Sequence, residues 1–400
     1  MYLEESQKNN NGKRRIVIHD VSVWLPRTKT WLYSEVTNVG PKWEAWVVAN
    51  RTENLSEFPY DKLFSLRDRY GYLRWCCEQV SYRLGISMQC PSIKKFVKEK
   101  RPEILHSHFG QCGWRNIELA KFIGCKHVVS FYGHDVTKLP RTNLWKKRYY
   151  DLFDSVDAVL CEGPHMAYNI NKLGCAREKI HLYHLGVDLE SIKFINRTWN
   201  IGESLRILMA ATFTEKKGFP YALEAIASFI KKRKDINVRV TLVGSSNRDK
   251  ETQRERKKID KIISENGLSN IINRRGFCSH SELLALAEIH DIFLSPSITA
   301  LDGNTEGGAP VSIIEMAAAG LIIVSTKHCD IPNILGKNNR QLLVDERDSN
   351  ALVDILEWLV ENPVQWRVMA EENRRLIEQE FNIKNQGPAL SNIYKTLFLK

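Results

Sequence analysis

Residues 302–332 read DGNTEGGAPVSIIEMAAAGLIIVSTKHCDIP, and the order of signals in them decides the fold. Pro310 has its φ fixed at a helical value and loses no useful donor at a first helical position. A helix is therefore predicted from Pro310 to Ala319, stopping at Gly320. The apolar run 321–325 then reads as a buried strand. Gly307 and Gly308 lie just ahead of the helix start. Unpaired N–H groups and the positive end of the helix dipole collect there, and the missing Cβ lets a phosphate approach the backbone. Glu306 precedes the loop, and Glu315 sits in the second turn of the helix. A carboxylate accepts from vicinal hydroxyls, so Glu315 suits a ribose and Glu306 a hexose. Many doubly wound domains contain a loop, a helix and a strand in this order, and spacing alone leaves both readings open.

Working outward, short apolar runs alternate with helical patterns in both halves of the chain. The stretches 15–19, 43–49, 104–108, 127–131 and 158–161 read as parallel strands. The stretches 206–211, 238–244, 271–276, 292–295 and 321–325 repeat that rhythm. Between the two sets, residues 189–204 are polar and unpatterned. Two such βαβ arrays predict an α/β protein of two doubly wound, Rossmann-like domains, whose ligands bind at the carboxyl ends of the strands.

The stretch from Glu306 to Glu315 resembles the E-x7-E signature of retaining glycosyltransferases of family 4, in the form found in bacterial exopolysaccharide and colanic-acid-like biosynthesis. Eight residues separate the two carboxylates here, the extra one falling in the Gly-Gly-Ala turn. The resemblance implies the GT-B fold, two domains facing across a cleft. It implies donor contacts at Thr212, Lys217, Gly244, Glu306, Gly307, Gly308, Ala309, Pro310 and Glu315. Glu215-Lys-Lys-Gly218 resembles the family's lysine-glycine element, with Lys217 on the donor diphosphate. Thr212 and Ala211 stand where relatives have an arginine, which Lys216 or Arg275 is expected to replace. Residues 242–246 and 291–297 are similar to the family's strands around the nucleotide. In the N-terminal half, 106–110 and 130–136 carry the expected cleft histidines. Relatives often have His-Gly-x-Asp where this chain has Tyr132-Gly133-His134-Asp135. The resemblance makes His134, Asp135, Lys217 and Glu306 the catalytic candidates and Arg27, Thr28 and His108 the acceptor side. It spans about residues 16 to 396. The expected division is a polar tail (1–14), an acceptor-side domain (15–188), a linker (189–204), a nucleotide-sugar domain (205–380) and a C-terminal helix (381–400) packing back on the first domain.

The reaction this resemblance implies is transfer of a hexose from a nucleotide diphosphate sugar, a UDP-sugar foremost, to a saccharide or lipid-linked acceptor. Lys217 and the amide groups of 307–309 would stabilise the departing diphosphate. No Asp-x-Asp beside an apolar strand occurs, so neither a metal nor another cofactor is expected. Two alternatives remain: a sugar-nucleotide 2-epimerase of the same fold, and a non-catalytic sugar-nucleotide or polysaccharide-binding partner.

Four hundred residues with 43% hydrophobic content are enough for two cores. The nine cysteines are scattered without a C-x-x-C, so they signal neither a zinc knuckle nor a disulfide framework, and a reducing cytoplasm is expected. No apolar leader and no run of 18 apolar residues occurs. Net charge is +11, with 29 basic against 21 acidic residues in 1–190 and 29 against 26 in 191–400. No nucleic-acid module accompanies that charge. Basic and aromatic residues interleave at Arg74, Trp75, Tyr82, Arg83 and Leu84, at 93–98 and at 144–150. These segments predict peripheral contact of the N-terminal domain with an anionic membrane surface, on the inner face of the cytoplasmic membrane.

Overall fold

The alternating pattern folds into two parallel sheets. A computed structural model describes residues 14–26, 31–71, 76, 90–246 and 249–399. In the first half, β1 (Arg15–Trp24), β2 (Trp43–Thr52), β3 (Leu63–Ser65), β4 (Ile104–His108), β5 (Lys126–Ser130), β6 (Ala158–Cys161) and β7 (Ile180–Leu182) pair in the order β3-β2-β1-β4-β5-β6-β7. In the second half, β8 (Leu205–Ala210), β9 (Val238–Val243), β10 (Ile272–Arg275), β11 (Ile292–Ser295), β12 (Ile322–Thr326) and β13 (Leu343–Val344) pair as β10-β9-β8-β11-β12-β13. All these pairs are parallel. Helices cover both faces, so β4, β6 and β12 are buried along their whole length; β6 and β12 read as unbroken apolar or small-residue runs, while β4 buries His106 and His108. Strand order reverses between β1 and β4 and again between β8 and β11. Strand ends at such switch points leave a crevice, and both crevices face the other domain.

Three strands, β3, β7 and β13, were not expected; each is two or three residues long and too short to show a period. Strand β1 runs past residue 19 to Trp24 because its polar member is satisfied in place. Asp20 accepts from Asn116 Nδ2 at 2.8 Å and from Arg115 at 2.9 Å, while Val21 and Trp24 stay buried. The helix expected over 310–319 is Val311–Ala318. Pro310 keeps φ near −60° but takes ψ 129°, so it is the cap residue rather than the first helical one. At the other end Gly320 has φ +89°. Its N–H reaches Ala317 O at 3.1 Å and that of Leu321 reaches Met316 O at 3.0 Å, a Schellman stop.

Residues between β7 and β8 are irregular, apart from a parallel bridge of Val187 to Asn382. Beyond that bridge the last helix, Ile383–Thr396, lies on the first domain. Leu390, Tyr394 and Leu397 join the core of Val17, Trp43 and Val47, and Trp43 Nε1 donates to Ser391 Oγ at 3.1 Å. Side chains tie the two domains elsewhere. Asp330 accepts from the amides of His165 (2.8 Å) and Met166 (3.3 Å) at a first-domain helix start, and Lys138 pairs with Asp302 at 2.5 Å.

The basic-aromatic segments are less exposed than expected. Ile93, Phe96 and Val97 are core residues, and Lys94 stacks on Phe122. In helix Asn143–Ser155, Trp145 and Tyr149 are buried and Arg148 lies under the Trp114 ring, 4.0 Å from its centre. Only Leu144, Lys146, Lys147 and Tyr150 of that segment remain outside. Residues 74, 75, 82, 83 and 84 lie outside the described residues. No helix among the described residues is long and apolar enough to cross a membrane.

Candidate functional site

The cleft between the strand ends holds most of the expected residues. After β8, residues Glu215–Lys217 form a tight turn closed by Gly218, whose φ is +65°. A Cβ at Gly218 would overlap the Pro296 carbonyl oxygen, and one at Gly244 (φ +135°) would overlap that of Ala211. Both turns therefore need glycine. Together they aim Lys216 and Lys217 at Glu306. Lys217 Nζ is 2.8 Å from Glu306 Oε1 and Lys216 Nζ is 3.2 Å from Oε2; Ser297 Oγ donates to Oε1 at 3.0 Å. Lys216 also reaches the Thr305 carbonyl at 2.9 Å. Burial alone would raise the Glu306 carboxyl, but the two lysine charges outweigh it and hold the group far below the usual range. Lys217 is lowered by burial, against the pull of Glu306.

His328, on the loop after β12, fixes the carboxylate's backbone. The Glu306 N–H donates to His328 Nε2 at 3.1 Å, so the ring proton is on Nδ1, which donates to Glu346 at 2.6 Å. Of the two cations expected to replace the missing arginine, Lys216 pairs with Glu306. Arg275 is exposed and lies outside the cavity beside Lys217.

That cavity, about 270 Å³, is bounded by Thr212, Lys217 and Gly244 on one side and by Pro310, Val311, Ser312 and Glu315 on the other. It lies at the N-terminus of helix Val311–Ala318, where the Ile313 amide donates to the Pro310 carbonyl at 2.9 Å and those of Val311 and Ser312 have no partner within the helix. Glu315 Oε1 is 2.8 Å from His280 Nε2, and that contact raises the His280 pKa. Phe277, Leu283 and Trp31 line the same space. None of His280, Phe277 and Leu283 was read from the sequence. The Ser279-His-Ser-Glu282 capping box marks the start of helix His280–Glu288 and would have placed His280 beside the strand ends.

The first domain meets the glycine loop directly. A Cβ at Gly133 would overlap the Glu306 carbonyl, one at Gly307 the Gly133 Cα, and one at Gly308 the Glu162 carboxylate. Glu162 is raised well above the usual carboxylate range by burial, then by Asp330, Asp135 and Glu306 around it. It too escaped the sequence reading, because no motif distinguishes it. Two expectations are corrected here. Asp135 does not face the cleft: it is fully buried, and its oxygens accept from the amides of Tyr132 and Gly110, both at 2.9 Å, pinning two loops. His108 is also fully buried, with Nδ1 on Tyr132 Oη at 2.8 Å and Nε2 on His19 Nδ1 at 3.0 Å, so an acceptor cannot touch it. His134 is partly exposed at the domain junction. Arg27 and Thr28 lie outside the described residues.

Comparison with known families agrees with this geometry. The family described as "Glycosyl transferases group 1" matches residues 191–381, and "Glycosyltransferase Family 4" matches 43–191. AmsK of Erwinia amylovora, an amylovoran biosynthesis glycosyltransferase, is 31% identical over 282 residues, 70% of this chain and 67% of that one. The chain belongs to glycosyltransferase family 4. The enzyme is also 27% identical over 384 residues to WcaL of Escherichia coli (strain K12), named for colanic acid biosynthesis, covering 91% and 90% of the two chains. Its fold is GT-B. Anabaena HepE, solved with UDP and glucose, superposes with a TM-score of 0.76 at 15% identity, over 96% of this chain and all of that one. Sucrose-phosphate synthase of Thermosynechococcus elongatus gives 0.72 at 15% identity, over 96% of this chain and all of that one.

Proposed function

We propose that the enzyme moves a hexose from a nucleoside diphosphate sugar to a saccharide or lipid-linked acceptor, with retention at the anomeric carbon, in exopolysaccharide assembly. One observation carries the reading: Lys217, which pairs with Glu306 beside Lys216, lines a cavity bounded by a helix N-terminus and Glu315. The names of AmsK and WcaL support the polysaccharide class, and HepE, solved with UDP-glucose, supports a UDP-sugar as donor.

In this reading the diphosphate lies along the glycine turns of 307–309, with Lys217 and Lys216 on its oxygens and the first amides of helix Val311–Ala318 behind it. These groups take the charge that grows as the C1–O bond to the diphosphate breaks. They fill the place that a divalent cation holds in metal-dependent transferases. Glu315 accepts from the ribose hydroxyls and Glu306 from those of the hexose. Phe277 and Leu283 flank the base. The acceptor oxygen attacks C1 from the face the diphosphate leaves, its proton passes to the departing phosphate oxygen, and no protein nucleophile takes part. His134, partly exposed, is the first-domain histidine we assign beside the reacting groups. A lipid-linked acceptor would put the enzyme on the inner face of the cytoplasmic membrane, with Leu144, Lys146, Lys147 and Tyr150 toward the surface.

A donor screen tests this by scoring nucleoside diphosphate release with and without a lipid-linked acceptor, in buffer free of divalent cations. Acceptor-dependent release from one donor supports transfer. Donor binding without release points to a binding partner, and an epimerised nucleotide sugar points to the epimerase.

A further inference from the structure

Behind the cleft wall of the first domain lies a group of side chains that the transfer reading does not use. His19 on β1 stands in register with His106 on β4, and the two-residue period of a strand puts His108 on the same face as His106. Glu35, from helix Trp31–Thr37, closes the group from above. All four side chains are 3% exposed or less. One donor atom from each lies within 4.8 Å of the others. His19 Nδ1 and His108 Nε2 are 3.0 Å apart, and Glu35 Oε1 is 4.0 Å from the same His108 Nε2.

The polar groups of this cluster are not all satisfied. Neither the two oxygens of Glu35 nor His19 Nε2 have a hydrogen-bond partner among the described residues. A buried carboxylate without a cation or donors is expensive, and four close polar groups that leave three atoms unsatisfied are not a finished network. The residues around them are arranged as an outer shell. Tyr132 Oη meets His108 Nδ1 at 2.8 Å, which leaves Nε2 pointing inward. Tyr394 Oη meets His106 Nδ1 at 2.6 Å from the C-terminal helix, and Ser130 Oγ meets its Nε2 at 2.8 Å, so His106 ligates only by releasing Ser130 and keeping Tyr394 as its outer partner. Second-side hydrogen bonds of this kind orient imidazoles toward a metal.

We infer that His19, Glu35, His106 and His108 form a buried site for one divalent transition metal, zinc foremost. A tetrahedral zinc with bonds of about 2.0–2.2 Å holds its donors roughly 3.3 Å apart, so donors that now lie within 4.8 Å of one another close in by side-chain rotation. Three imidazoles with one carboxylate favour zinc over magnesium or calcium, which take mostly oxygen. The ion would neutralise Glu35 and fasten β1, β4 and the first helix into one unit, with Tyr394 of the last helix bracing it. No group of the donor cavity belongs to the cluster, so metal binding and sugar transfer are separately testable.

The test uses the untagged full chain. After loading with Zn²⁺ and gel filtration, mass spectrometric metal analysis should find about one zinc per chain. Loading with Co²⁺ should instead give the intense visible bands of a tetrahedral site. Glu35→Gln and His19→Ala should each lose the bound zinc and the cobalt bands, and Tyr394→Phe should weaken zinc affinity by about 10–100-fold. Wild-type protein that retains no zinc and gives only the weak bands of octahedral cobalt would overturn the inference. So would Glu35→Gln and His19→Ala chains that keep the wild-type metal content and spectrum.

Discussion

Single residues divide the labour in the cleft, and kinetics can separate them. The diphosphate gains charge only as its bond to the sugar breaks, so a lysine that contacts it acts in the transition state more than in the bound donor. Lys217→Ala should therefore lower kcat by about 10²–10³-fold with a small change in donor KM. On the proposed reading Glu315→Ala removes a ribose contact made equally in both states, and should raise donor KM by roughly 10–100-fold at nearly constant kcat. Wild-type constants for either variant would remove its role. The Glu315 partner adds a pH dependence. The folded pKa of His280 is raised by its bond to Glu315, so the pair is fully formed below the ordinary histidine range and is lost as pH rises through the raised value. A ribose must take Glu315 from that pair, so donor KM should fall as pH rises through the same window. Steady-state kinetics across it should show the trend, and His280→Ala should flatten it. At this scale the sequence was legible wherever a motif fixes the backbone. Lys217, Gly244 and Glu315 all line the cavity. It was not legible where burial decides the role: Asp135 and His108 stand at strand ends, as read, but their partners turn them inward.

Elements explain which of those readings could succeed. Strands β6, β11 and β12 were visible because helices on both faces make them almost continuously apolar, whereas β3, β7 and β13 carry no period at two or three residues. Helix faces were harder. The segment 144–150 holds three cations and three aromatics, but its 3.6-residue period turns Trp145, Arg148 and Tyr149 inward and leaves Lys146 and Lys147 outside. The two sets should behave differently on mutation. Arg148→Ala removes a buried guanidinium packed on Trp114 and Trp145, and should cost about 1–3 kcal/mol in chemical denaturation. Lys146→Glu with Lys147→Glu should leave stability within about 0.5 kcal/mol. The double variant should instead reduce cosedimentation with phosphatidylglycerol vesicles at low salt. Equal binding of wild type and double variant to anionic and neutral vesicles would remove the membrane contact and point to a soluble acceptor.

At the scale of the molecule, the two domains meet at glycines. Gly133 and Gly307 lie back to back, and a side chain on either would push the first domain off the Glu306 loop. Gly133 sits in the Tyr-Gly-His-Asp element without a positive φ, so Gly133→Ala should fold with its melting temperature nearly unchanged. Its kcat should nevertheless fall by about 10²-fold, since a displacement near 1 Å suffices for that. Wild-type turnover by this variant would show that the domains need not close so tightly. The doubly wound halves were readable from strand rhythm, but which residues touch across the cleft depends on the relative placement of two separately folded sheets, and no local pattern records it. Glu162 against Gly308, and Asp330 on the amides of His165 and Met166, are of that kind. The central claim is that the lysine pair and the helix start expel the diphosphate and deliver the sugar on the same face. Proton NMR of the first product formed from an α-linked nucleotide sugar, with no divalent cation added, tests it directly. The account predicts an α-glycoside from the outset; a β-glycoside, or no product until Mg²⁺ or Mn²⁺ is supplied, would contradict it.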